Sequence, residues 1–91
     1  MSVTVRVPTT LRTLTAGAAE VTVEAGTLSE VIGALDAAHP GFAERLLDEE
    51  GKLRRFVNVF VADDDVRFMA GLGTPVPEGE TVSIIPAVAG G

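Results

Sequence analysis

Thr27-Leu28-Ser29-Glu30-Val31-Ile32-Gly33-Ala34-Leu35 is the main helical signature in the chain. Thr27 reads as an N-cap and Glu30 follows three residues later. At that capping-box spacing each side chain satisfies the other residue's orphan backbone donor. Leu28, Val31, Ile32 and Leu35 recur at helical spacing and lay down one apolar stripe. His39-Pro40-Gly41 ends the helix. Phe42, Leu46 and Leu47 then predict a second short helix, closed by the acidic stretch Asp48-Glu49-Glu50-Gly51.

On both sides of the helix the apolar period is two. Val3, Val5 and Val7 alternate with Thr4 and Arg6, which predicts an opening strand that Pro8 terminates. Leu11, Arg12 and Leu14 lie in a connection, and Thr15-Ala16-Gly17-Ala18-Ala19 is read as the turn region. Val21 and Val23 form a second strand, antiparallel to the first. Downstream, Phe56 to Val61 is apolar except for Asn58, the pattern of a central strand with contacts on both faces. Asp63-Asp64-Asp65 is read as a turn and Val66-Arg67-Phe68 as a short strand or extended piece. Gly71, Gly73, Pro75 and Pro77 punctuate a loop. Glu78-Gly79-Glu80 turns the chain into a last strand, Thr81 to Ile85, which Pro86 stops.

One main helix for four or five strands describes an α+β fold: a mixed four- to five-stranded sheet wrapped on that helix, with a short helix besides. This is the β-grasp, or ubiquitin-like, arrangement, with the first and last strands side by side at the sheet centre. The expected core-facing set is Val3, Val5, Val7, Val21, Val23, Val57, Val59, Val82 and Ile84. By alternation, Phe56, Phe60 and Ile85 point to the other face with Thr4, Arg6 and Ser83, leaving a partly apolar surface suited to docking. Residues 1–86 form the expected β-grasp domain and 87–91 a flexible tail.

Composition narrows the function. A chain of 91 residues with 46% hydrophobic content is one folded domain. It has no cysteine, so thiolate nucleophiles, disulfides and thiolate metal sites on the chain itself are excluded. A net charge of −6 with seven scattered Lys and Arg argues against nucleic acid and anionic membranes. No apolar run reaches membrane-spanning length, and Met1-Ser2-Val3-Thr4 lacks signal-peptide character, which leads to the expectation of a cytoplasmic protein. His39 has no second ligand or nucleophile beside it in the sequence. Asp63-Asp64-Asp65 lacks the spacing of a calcium loop. Gly71, Gly73 and Gly79 lack the strand, lysine and helix of a phosphate loop. No resident catalytic or metal-binding site is therefore expected.

The last strand runs into Pro86-Ala87-Val88-Ala89-Gly90-Gly91. Two glycines cost entropy to order and add nothing to a core, so their use is a thin, bare carboxylate that threads into a partner's active site. With Val7-Pro8-Thr9, Leu11-Arg12, Thr27-Leu28, the stretch Leu53 through Val61 around Asn58, Asp63 through Phe68, and Gly79-Glu80-Thr81-Val82, this ending resembles the ubiquitin-like (MoaD/ThiS-like) sulfur carriers over nearly the whole length. The tail and Arg55 through Val61 are most similar to members that serve cysteine biosynthesis.

The resemblance implies a carrier, not an enzyme. Gly91 would bear the sulfur, with Gly90, Ala89 and Val88 threading the tail. An E1-like adenylating and sulfurtransferase enzyme would use ATP and Mg²⁺ to form an acyl-adenylate at Gly91, and a sulfur donor would displace AMP to leave a thiocarboxylate. In the cysteine route, that sulfur would attack an aminoacrylate held on pyridoxal phosphate by a partner cysteine synthase. A zinc metalloprotease of the JAMM type would release the product. None of these cofactors is expected on this chain. Molybdopterin or thiamine biosynthesis, a ubiquitin-like modifier or interaction module, and a small enzyme are the alternatives.

Overall fold

In the computed structural model, which describes residues 2–54 and 57–86, the capping box closes as its spacing requires. Glu30 N–H donates to Thr27 Oγ1 at 3.3 Å, and Thr27 N–H donates to Glu30 Oε1 at 2.9 Å. Helix α1 (Leu28–Ala38) follows and buries Leu28, Val31, Ile32 and Leu35. Its first donor, Leu28 N–H, is taken by the carbonyl of Thr74 at 2.8 Å, a partner from far along the chain. The helix ends at His39, and Gly41 at φ 114° turns the chain into α2 (Phe42–Leu46). Asp36 Oδ1 accepts from the N–H groups of Gly41 and Ala43, both at 3.0 Å. A carboxylate in the last turn of α1 thus satisfies donors at the start of α2, which has no cap of its own.

The expected α+β, β-grasp architecture is present. β1 (Ser2–Arg6) pairs antiparallel with β2 (Glu20–Glu24) and parallel with β7 (Thr81–Pro86). β7 pairs antiparallel with β4 (Val57–Val61), which pairs with the two-residue β5 (Asp64–Asp65). The order is β2-β1-β7-β4-β5, so the first and last strands do meet in the interior of the sheet. A second sheet of two short strands, β3 (Gly26–Thr27) and β6 (Pro75–Val76), was not expected from the sequence.

Every residue of the expected core set is buried except Val21, which is half-buried. Leu11, Phe42, Leu46, Val61, Val66 and Val76 join them in one cluster with the α1 stripe. Each side chain of this kind contributes about 1.5–3 kcal/mol on full burial, against a conformational entropy cost that leaves most domains only about 5–15 kcal/mol stable. Among the described residues no buried side-chain nitrogen or oxygen lacks a hydrogen-bond partner.

Several local expectations need correction. The connection after β1 is a 3-10 helix, Thr9–Thr15, and the turn expected over residues 15–19 narrows to Ala16 and Gly17, both at positive φ. Asp64 and Asp65 form β5, and the turn before them is Ala62-Asp63, with Ala62 at φ 57°. Val66–Phe68 is a 3-10 turn instead of a strand, because Asp65 Oδ1 accepts from Arg67 N–H at 2.8 Å and curls the backbone before a ladder can extend. The loop expected at Gly71 through Pro77 contains a 3-10 turn, Gly71–Gly73, and strand β6.

Candidate functional site

Where β7 ends is the place from which a tail would leave, and the geometry there follows from strand alternation. Val82 and Ile84 face the core, at 1% and 4% exposure. Ser83 and Ile85 face outward, and Ile85 is 49% exposed. The ladder with β4 pairs Ser83 with Phe60, Ile85 with Asn58 and Pro86 with Val57. On the other side Arg6 pairs with Ser83. Thr4, Arg6, Asn58, Phe60, Ser83 and Ile85 therefore share the outer face.

Two of the three expected docking residues are on that face as read. Ile85 is well exposed, whereas Phe60 is half-buried. Phe56 lies outside the described residues, as do Val88, Ala89, Gly90 and Gly91.

The surroundings of the strand end add features that sequence reading missed. A shallow depression of about 370 Å³ lies against β7, lined by Arg6, Pro8, Arg12, Glu20, Ser83 and Ile85 among others. It brings two arginines close to the exit of an otherwise acidic chain. Arg12 Nε donates to Val7 O at 3.2 Å, and Arg6 lies 3.9 Å from the Glu20 carboxylate, an exposed pair of the kind that contributes about 0–1 kcal/mol. On the β4 side, Arg67 Nη1 donates to Asn58 Oδ1 at 2.6 Å, while Arg67 Nη2 donates to the carbonyls of Arg54 and Val57, both at 2.8 Å. Next to it, Phe68 is 90% exposed and Met69 48% exposed. The only hint of the arginine network in the sequence was Asn58 itself, a lone polar residue in an apolar strand.

The remaining sequence candidates are accounted for locally. His39 caps α1 and meets the Phe42 ring edge-on, centroids 6.4 Å apart. Asp65 caps the 66–68 turn. Among the described residues no helix is long and apolar enough to cross a membrane.

Residues 5–91 match the ThiS family. The chain belongs to the ThiS family. This ThiS-family chain is 50% identical over 93 aligned residues to the sulfur carrier protein CysO of Mycobacterium tuberculosis strain H37Rv, with all of both chains covered. The crystal structure of M. tuberculosis CysO superposes with a TM-score of 0.90 at 49% identity, covering 94% of this chain and 99% of that one. A chain in the crystal structure of the Amycolatopsis orientalis BexX/CysO complex gives 0.92 at 49% identity, covering 98% and 99%. The expected sulfur-carrier family and β-grasp fold are thereby borne out, and one relative is seen in a complex with another protein.

Proposed function

We propose that this ThiS-family chain is a sulfur carrier for cysteine formation, a protein cosubstrate on which partner enzymes act. The observation that carries the reading is that β7 is paired on both sides as far as Ser83 and with β4 as far as Pro86, so the strand that leads into the diglycine sequence is anchored in the sheet. Likeness to CysO over the whole length supports the same reading.

A carboxylate resists nucleophilic attack, so Gly91 must first be activated. One of its oxygens attacks the α-phosphorus of ATP on an E1-like enzyme, and pyrophosphate leaves. Hydrosulfide from the sulfur donor then adds to the carbonyl carbon, the bond to the adenylate oxygen breaks, AMP departs with the electron pair, and the S–H proton is lost to water. The thiocarboxylate left on Gly91 is more acidic than a thiol and is anionic at neutral pH, the form of sulfur that attacks. Gly90 and Gly91 carry no Cβ, and Ala89 only a methyl, which lets the backbone pass a narrow channel.

The outer face with Phe60 and Ile85 docks the activating enzyme and a cysteine synthase in turn. The synthase holds pyridoxal phosphate, which supplies the unsaturated amino-acid acceptor, and a JAMM-type zinc protease frees the product. ATP, Mg²⁺, pyridoxal phosphate and zinc sit on these partners. The carrier works in the cytoplasm, where the activating enzyme has ATP.

The test is intact-protein mass spectrometry after incubation with an activating enzyme, ATP and a sulfur donor. Exchange of oxygen for sulfur at Gly91, followed by a cysteinyl adduct once the synthase is added, is expected. Transfer only to a molybdopterin synthase large subunit or a thiazole synthase would move the carrier to those pathways. Conjugation to lysines without sulfur exchange would make it a modifier.

A further inference from the structure

Asn58 breaks an otherwise apolar strand, and the chemistry above gives it no task. Its amide oxygen accepts from Arg67 Nη1, and Nη2 of the same guanidinium reaches the carbonyls of Val57 and Arg54. The planar guanidinium holds its donors in a rigid fork, so one side chain ties three points along the entry to β4. Arg67 is steadied in turn through its own N–H, which donates to Asp65 Oδ1.

The tied points are the ones that matter for the tail. Val57 pairs with Pro86 and Asn58 with Ile85, the last two rungs before residues 87–91. Val57 N–H donates to Arg54 O at 3.1 Å and not to β7, and Pro86 has no N–H, so the final rung carries no ladder bond of its own and depends on the β4 side being held by something else. Arg67 supplies that hold. Loss of it would let the last rungs of the ladder fray and swing the carboxylate, five residues farther on, away from the reacting phosphate.

We propose that Asn58 and Arg67 are a positioning pair that sets the direction in which β7 delivers the tail to the activating enzyme. The proposal rests on the sulfur-carrier reading and adds two residues that touch no reacting atom.

Three variants of the full chain test it. Asn58→Leu suits a strand but offers no acceptor. Arg67→Lys keeps the charge but loses the fork. Asn58→Asp keeps an oxygen for Arg67 and makes the hydrogen bond charge-assisted. ATP–pyrophosphate exchange with an activating enzyme gives kcat and KM for the carrier, and amide hydrogen exchange is followed over residues 57–59, 83–85 and α1. In Asn58→Leu and Arg67→Lys, kcat should fall about 10- to 100-fold, the scale on which small misplacements act. KM should stay within about twofold in Arg67→Lys; Asn58→Leu also changes a side chain on the docking face, so for it the fall in kcat is the readout. Exchange should quicken at 83–85 while α1 stays protected, and Asn58→Asp should keep both readouts near wild type.

Unchanged kcat in the first two variants, a loss confined to KM, or a loss that tracks deprotection of α1 would overturn the pairing. Failure of the wild-type chain to be adenylated would sink the carrier reading instead. The exchange data then decide alone: faster exchange at 83–85 supports the pair, and unchanged exchange refutes it.

Discussion

Val5 and Val82 lie side by side in the parallel contact of β1 with β7, at 0% and 1% exposure. The two ends of the domain are thus joined inside the sheet. Opening β7 up to Ser83 requires breaking pairs on both its flanks and lifting Val82 out of the core, whereas Ile84 to Pro86 are paired with β4 alone. That contrast between a locked strand and the diglycine sequence beyond it underlies the proposed chemistry.

Appending one residue after Gly91 should abolish adenylation while leaving the thermal midpoint unchanged. The added residue displaces the reacting carboxyl without touching the described domain. Pyrophosphate exchange and intact mass check this. Normal activation of the extended chain, with no trimming, would contradict the mechanism.

Ile85→Asp should weaken docking without unfolding the carrier. The side chain is half in solvent and lies on the outer face beside Phe60 and Asn58. Contacts central to an interface cost about 1–3 kcal/mol when lost, so KM for the activating enzyme should rise about 5- to 150-fold. A denaturation midpoint equal to wild type, measured in parallel, keeps the effect separate from stability.

Gly33→Ala should stabilise the fold. Gly33 stands in the middle of α1 on its exposed side, and a Cβ built there meets nothing within 4 Å. Alanine in a helix interior is about 0.5–1 kcal/mol better than glycine, a rise of about 2–8 °C in midpoint for a domain of this size. A lower midpoint by calorimetry would mean that α1 does not hold this geometry.

Acid should loosen the 48–52 loop. Asp48 Oδ1 accepts from the N–H groups of Lys52 at 3.0 Å and Glu50 at 2.9 Å. The Lys52 N–H above all holds its carboxyl below the ordinary value of 3.8; desolvation opposes the shift, while Glu50 N–H and the charges of Lys52 and Arg54 add to it. Because the folded value is depressed, the contribution is complete above about pH 4 and is lost as pH falls through the lower folded value. Carbon-13 titration of the Asp48 carboxyl, with the amide shifts of Glu50 and Lys52 moving in step, should show this. In Asp48→Asn those amides should not respond.

Much of the site was legible because alternation is a local rule. Once Val57, Val59, Val82 and Ile84 are assigned inward, Phe60 and Ile85 have to face outward, and they do. Arg67 was not legible. Val66-Arg67-Phe68 has the β-branched and aromatic character of a strand, and only the hydrogen bond from Arg67 N–H to Asp65 turns it into a 3-10 turn that aims the guanidinium at Asn58. The exposed Phe68 and Met69 follow from the same turn.

By itself the sequence determined the capping box, the apolar stripe of α1, the valine faces of β1, β2 and β4, and the strand that runs into the diglycine. These depend on hydrogen bonds across three residues and on side-chain period, which neighbouring residues impose on each other. Only the tertiary structure decided that Thr74 caps α1, that Asp36 serves α2, that Gly26–Thr27 pairs with Pro75–Val76, and that Arg67 braces the strand opposite Pro86. Each of those joins a single donor or acceptor to a partner across a turn or from a separate segment, and an isolated polar group has no period from which its partner can be read.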